Sequence, residues 1–269
     1  MLLQLPYAIS PNSTLNQKFG IQATLVPDIS VLPSLGYYAI GNGGHQFTLG
    51  TSGTSTAAIS KPEPVQHRGT DAALYNHTPF VLRLLTNDLT AAAMLQYALR
   101  RIETHNGVQY AAYYLKRLVL TEVTPAMEYV TVSNGISNVS AFIPTSANLN
   151  PIPPALSSTG VNIVSGDYVS ATAKLNIILS TDDIAELINV AMVLYNDANY
   201  AIISEIALCS GVDKIVTSPV AGNATINFKE AIAVQVLSFV NTFFPLNYSG
   251  NSCELLLDVG CSEPVFSLS

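Results

Sequence analysis

Residues 99–123 read Leu-Arg-Arg-Ile-Glu-Thr-His-Asn-Gly-Val-Gln-Tyr-Ala-Ala-Tyr-Tyr-Leu-Lys-Arg-Leu-Val-Leu-Thr-Glu-Val, and they decide the fold. Asn106-Gly107 stands between two runs rich in β-branched, aromatic and aliphatic residues. A two-residue type I′ turn needs positive φ at both central positions, which Asn and Gly tolerate at least cost. The stretch therefore reads as an antiparallel hairpin of Leu99–His105 with Val108–Val123. A second pair, Asn134-Gly135, separates Met127–Ser133 from Ile136–Ile143 in the same way. Two hairpins in succession predict an antiparallel sheet.

Upstream, Pro79–Leu84 reads as a buried strand, and Thr86-Asn87-Asp88 can cap a short helix through Ala91–Tyr97. Downstream, Val169, Ala171, Ala173, Leu175 and Ile177 alternate with Tyr168, Ser170, Thr172, Lys174 and Asn176, the pattern of a half-buried strand. The period changes at Ser180. Asp182 and Asp183 sit where a helix begins, and Ile184, Leu187, Ile188, Ala191 and Tyr195 follow helical spacing, predicting a helix over 181–196. Ala201–Cys209 reads as a strand ended by Ser210-Gly211, residues 228–244 in part as a strand, and Cys253–Val259 as a final strand. The fold class expected is mostly β or α+β: an antiparallel β-sandwich with one or two packed helices.

Residues 1–65 differ from the rest. Their only charges are Lys18, Asp28, Lys61 and Glu63, and Pro6, Pro11, Pro27, Pro33, Pro62, Pro64 and the run Gly41-Asn42-Gly43-Gly44 leave no helical period. The segment keeps many apolar residues that require burial, among them Leu25, Val31, Leu35, Tyr37 and Tyr38. It is read as an extended N-terminal arm lying on neighbouring subunits, with an arm folded back on its own domain as the other reading. Residues 66–269 are read as the β-rich core domain, with an internal boundary near the Pro-rich stretch 144–160.

Composition narrows the function classes. Of 269 residues, 49% are hydrophobic and only 11% charged, against roughly 25% charged in an ordinary soluble domain. Mean hydropathy is +0.35. A surface short of charge fits burial against other subunits, because interface centres are depleted of charge; secreted β-proteins share the Ser/Thr/Asn richness. The net charge of −7 opposes direct nucleic-acid contact, which depends on clustered Lys and Arg. The nearest approach to a basic patch is Arg100, Arg101, Lys116 and Arg117, read as a solvated face or an intersubunit ion-pair set. Cys209, Cys253 and Cys261 provide neither a disulfide framework nor a zinc site and read as small core residues of a protein made in a reducing cytoplasm. The opening Met-Leu-Leu-Gln-Leu-Pro lacks the basic region of a signal peptide, and no run of 18 apolar residues predicts a membrane span.

The motifs of catalysis are missing. His45, His67, His77 and His105 show no His-x-x-x-His spacing, and no Gly-x-Ser-x-Gly elbow occurs. Gly41-Asn42-Gly43-Gly44 is followed by no helix carrying Lys-Ser/Thr, so a turn or a close approach of two backbones explains it better than a phosphate loop. Glu205 and Asp213 can in principle hold a cation but read as surface charges. No catalytic residue, cofactor or metal is expected.

One segment stands out. Gln66, His67, Arg68, Asp71, Tyr75, Asn76, His77 and Arg83 concentrate polarity in a charge-poor chain, and such density in a connection marks specific hydrogen bonding. Gln66, His67, Arg68, Asp71, Tyr75, His77 and Arg83 are read as interaction residues docking a neighbouring subunit, with the two arginines as fork donors. An intrachain network is the competing reading.

The run Gln66–Arg83 (Gln-His-Arg-Gly-Thr-Asp-Ala-Ala-Leu-Tyr-Asn-His-Thr-Pro-Phe-Val-Leu-Arg), with Tyr110–Leu118, resembles segments of virion proteins of tailed bacteriophages. Ala201–Cys209 looks like strands of phage tail and collar components. The likeness spans residues 66–260. It implies a non-enzymatic building block, made in the host cytoplasm and residing in the virion, whose partners are copies of itself and other virion proteins. The function expected is thus a structural subunit assembling into a symmetric ring or lattice through its arm and the 66–83 segment. The rivals are a receptor- or carbohydrate-binding module of a phage tail or cell surface, which needs exposed aromatic platforms, and a hydrolase on the same scaffold.

Overall fold

The computed structural model describes residues 14–28, 30–51, 58–121, 123–143, 155–159, 163–248 and 252–264. These are mostly β, with antiparallel strands and three α-helices among the described residues. In chain order they are α1 (Leu15–Phe19), β1 (Ser34–Gly41), β2 (His45–Thr51), β3 (Ala58–Pro64), β4 (His77–Thr78), β5 (Val81–Leu84), α2 (Ala91–Met94), β6 (Tyr97–His105), β7 (Val108–Arg117), β8 (Ala126–Ser133), β9 (Ile136–Ala141), β10 (Ala155–Leu156), β11 (Ile163–Leu179), α3 (Thr181–Tyr195), β12 (Ile202–Pro219), β13 (Thr225–Pro245) and β14 (Cys253–Pro264). The chain divides into two compact units. Among the described residues, the larger holds those within 14–119 and 178–254, the smaller those within 120–177 and 255–264. The units change over after Val119, Ile177 and Glu254; the boundary expected near 144–160 falls on a stretch of which 144–154 and 160–162 lie outside the described residues.

The larger unit is built on a seven-stranded sheet of order β13-β12-β1-β7-β5, with β4 beside β1 and β6 beside β7; β2 pairs with β3 separately. Asn106 (φ 51°) and Gly107 (φ 79°) make the expected turn between β6 and β7. The helix expected through Tyr97 is only one turn, α2. Tyr97, Ala98, Leu99 and Arg100 are all buried on β6 instead, because pairing with β7 satisfies their backbone groups in a strand. Ser210-Gly211 does not end β12. The register shifts there, and a Cβ on Gly211 would stand 3.0 Å from the Tyr37 ring. This is a bulge that admits a close neighbour, so the glycine marks crowding where a turn was expected.

The sheet curls until its two edge strands meet. Glu230 on β13 accepts hydrogen bonds from the backbone N–H groups of Leu99 and Arg100 on β6. Leu99, fully buried, has φ +51°, a conformation that costs about 1 kcal/mol for a residue with a Cβ. The carboxylate takes the place of a neighbouring strand there. Helix α3 is held by a Ser180–Asp183 capping box and ends at Asn196, whose φ is 56°. It buries Ile184, Leu187, Val190 and Ala191, and Asn189 Nδ2 donates to the Leu82 carbonyl of β5 at 3.0 Å.

The extended arm is corrected by this architecture. Within 1–65, β1 is an interior strand flanked by β12 and β7, and α1 buries Leu15 and Asn16. Asn16 Nδ2 donates to the Ala231 carbonyl (2.9 Å), and its Oδ1 accepts from Val234 N (2.9 Å). Leu15, Ile21, Leu35, Tyr37 and Tyr38 are buried in their own domain, whereas Val26, Val31, Leu32, Phe47 and Leu49 remain exposed. Residues 1–13 lie outside the described set.

The smaller unit has a five-stranded sheet of order β10-β11-β8-β9, with β14 beside β11. Asn134 (φ 53°) and Gly135 (φ 75°) turn β8 into β9 as expected. The Tyr129 hydroxyl donates to Asp167 across 2.7 Å. Every residue of β9 is exposed.

Candidate functional site

The densest polar constellation of the larger unit centres on Glu205, near the start of β12, whose side chain is fully buried. A carboxylate offers roughly four lone-pair directions, and burial without partners is costly. Here Oε1 accepts from Gly43 N (3.0 Å) and Asn76 N (2.9 Å), and Oε2 from Tyr75 N (3.0 Å) and His67 Nε2–H (2.8 Å). Gly44 N donates to the neighbouring Ser204 hydroxyl at 3.0 Å. One acidic group thus ties the glycine run and the 66–76 segment to the sheet.

The glycines permit this approach. A Cβ on Gly41 would meet the Glu205 carboxylate and the Asn76 carbonyl (2.5 Å), one on Gly43 the Asn76 nitrogen (2.7 Å), and one on Gly44 the Ser204 backbone. The close approach of two backbones expected from the sequence is found here. His67 lies flat between Tyr75 and Phe239, with ring centroids 4.2 and 3.9 Å away and both interplanar angles 8°. Its Nδ1 is 3.4 Å from Asp71 Oδ2. Both ring faces are covered and the Nε2 edge faces a buried carboxylate, so the imidazole is committed to holding the segment in place.

The structure brings some of the seven expected interaction residues together and disperses the others. His67, Asp71 and Tyr75 join the Glu205 knot. Gln66 supplies its carbonyl to the Tyr75 hydroxyl (2.9 Å), and Asp71 accepts from that hydroxyl (3.1 Å) and from the Arg68 backbone N–H (2.9 Å). His77 lies elsewhere: Nε2 donates to the Tyr114 carbonyl at 2.8 Å, and burial lowers its pKa to about 4, so it is neutral. Arg83 reaches α3, where Nε donates to Glu186 at 3.0 Å. The intrachain reading accounts for these contacts. Arg68 and Gln66 remain exposed.

Sequence reading missed Glu205, which it took for a surface charge. A signal was present: Glu205 is the one charge within the apolar run Ile202–Ser210. Its other partners arrive from more than a hundred positions away and leave no local trace. The basic patch also dissolves, because successive strand residues point to opposite faces. Arg100 is buried, donating to Asp88 (2.6 Å), Ser218 (2.6 Å) and the Tyr113 hydroxyl (3.2 Å). Lys116 donates to Asp183 at 2.6 Å, and Arg117 pairs with Asp213. Asp213 is thereby occupied and shares no site with Glu205. Among the described residues, no group of three or more His, Cys, Asp or Glu could hold a metal ion, and no described helix is long and apolar enough to cross a membrane.

A family model described as a family of unknown function, DUF7208, matches residues 1–269, and the chain belongs to that family. No curated protein and no solved structure matches it.

Proposed function

We propose that this member of the DUF7208 family is a structural subunit that assembles with copies of itself, in a virus particle of the tailed-phage type. The observation that carries the reading is strand β9. Ile136-Ser137-Asn138-Val139-Ser140-Ala141 contains neither charge nor proline, all six residues are exposed, and its outer edge pairs with no strand among the described residues. Exposed edges are ordinarily protected by Lys, Pro, a bulge or a cover. An unprotected uncharged edge favours extension of the sheet by a strand of another chain, and a self-pairing strand without charge meets no like-charge repulsion. The low charge of the whole chain points the same way. The virion setting rests on the resemblance of residues 66–83, 110–118 and 201–209 to phage virion proteins.

The docking element thereby moves from residues 66–83, whose side chains are largely engaged within the chain, to the hairpin of the smaller unit. Sedimentation velocity at micromolar concentration tests this. The native chain should form oligomers, and Val139→Lys should shift them to monomer with unchanged circular dichroism. A native chain that sediments as a monomer, or oligomers that survive Val139→Lys, would refute the assembly mechanism.

A further inference from the structure

Beside the Glu205 knot the larger unit opens into a cleft of about 520 Å³, within the 300–1,000 Å³ range of small-ligand sites. Its chemistry is unusual for a charge-poor surface. Phe47 (57% exposed), Tyr195 and Tyr200 (53% exposed) bring aromatic rings to its walls. The two tyrosine rings stand 4.9 Å apart at 35°, a tilted pair that leaves Tyr200 half-exposed. Three carboxamides, Asn42, Asn76 and Asn199, share the walls. Among the described residues, no Lys or Arg lines it and the only charge is Asp197, whose carboxylate already accepts from the Asn199 backbone N–H at 2.9 Å. His45, also in the lining, packs edge-on against Phe47 and Phe243, and burial lowers its pKa.

The amides are oriented before any ligand arrives. Asn76 Nδ2 donates to Asn42 Oδ1 and to the Tyr195 hydroxyl (3.1 Å). Asn42 Nδ2 donates to the Tyr200 carbonyl (3.3 Å), and Asn199 Oδ1 accepts from Asn247 (2.7 Å). The backbone N–H of Asn76 is itself held by Glu205. This leaves Asn76 Oδ1 as an acceptor and Asn199 Nδ2 as a donor, both without partner among the described residues.

We infer that this cleft binds a neutral saccharide, its pyranose C–H face on the exposed Tyr200 ring and its vicinal hydroxyls on Asn76 and Asn199. Three features select this class. Aromatic faces carry partial negative charge and attract the polarised C–H groups of a sugar face. A fixed acceptor and donor match a hydroxyl pair. Without a lining cation, phosphorylated, sulfated or sialylated ligands would be buried with no counter-charge. The site is independent of the β9 edge, so a virion subunit could both assemble and hold a glycan.

The test is a glycan array of neutral and anionic oligosaccharides probed with the full chain, followed by calorimetric titration of the best hit. Neutral glycans should bind. Tyr200→Ala should weaken the hit about tenfold, the loss expected when an aromatic stacking contact disappears. Phe47→Ser, on another wall, should weaken it too, which keeps the test decisive where Tyr200→Ala fails to fold. Tyr200→Phe should retain binding, as should Leu95→Ala, which is exposed elsewhere. A blank array, hits confined to anionic glycans, or hits unaffected by both Tyr200→Ala and Phe47→Ser would overturn the inference.

Discussion

His67 Nε2–H donates to Glu205 Oε2 across 2.8 Å, joining residues 138 positions apart. The contact makes Glu205, on β12, a group to which both the glycine run and the 66–76 segment bind. Removing its charge leaves buried backbone donors with one acceptor where two stood. Glu205→Gln should therefore lower unfolding free energy by about 3 kcal/mol. Urea denaturation followed by circular dichroism measures it, and a midpoint equal to that of the native chain would show that the knot contributes nothing to stability.

Gly44→Ala probes the same approach from the glycine run. The new methyl would strike the Ser204 backbone, which cannot move without disturbing β12. A loss of about 1–3 kcal/mol is expected from overpacking. Gly69→Ala, where nothing lies within 4 Å, should stay within about 0.5 kcal/mol. Equal effects at the two positions would contradict the close approach.

Glu230 supplies a pH signature. Burial raises its pKa from 4.5 to about 7, against the lowering effect of the backbone N–H groups of Ala231, Leu99 and Arg100. A carboxyl whose folded pKa exceeds its unfolded value binds more protons when folded, so its contribution is greatest at low pH and declines as pH rises from about 4.5 to about 7. Relative to Glu230→Gln, the native chain should lose about 3 kcal/mol across that interval. Unfolding both proteins at pH 4.5, 6 and 8 isolates the effect from the other carboxylates. A difference that stays constant with pH would count against the burial of an ionisable group there.

The former basic patch divides into buried and exposed members. Lys116→Met leaves Asp183 buried without its cation and should cost about 3–5 kcal/mol. Arg101, 46% exposed and 3.7 Å from Glu103, should tolerate Ala within about 0.5 kcal/mol. Thermal unfolding of both variants distinguishes these roles. Two similarly small losses would mean that the four cations form a solvated face after all.

Much of the fold was legible because its signals are local. Asn106-Gly107 and Asn134-Gly135 name their turns through the φ values that these residues accept. Ser180 and Asp183 name the start of α3 by capping it, and the alternation from Val169 to Ile177 marks a strand. Signals failed where a neighbour distant in sequence decided the outcome. Tyr97–Leu99 has no intrinsic reason to leave a helix until β7 offers a ladder. Ser210-Gly211 looks like a terminus until the Tyr37 ring requires the space beside it. The polar segment at 66–83 was visible as special, but Asp71, His67 and Arg83 could not announce whether they face a neighbour or their own chain.

By itself, then, the sequence determined an antiparallel, charge-poor β protein with two Asn-Gly hairpins and one well-capped helix, since turn conformation, capping and periodicity act over a few residues. Only the tertiary structure decided that β1 belongs inside the sheet, that Glu205 is a buried hub, and that Phe47, Tyr195 and Tyr200 surround one cleft. Those outcomes depend on which distant groups satisfy a buried charge or fill a space. Contacts across more than a hundred positions leave no pattern along the chain, because pairing in three dimensions carries no periodicity in one.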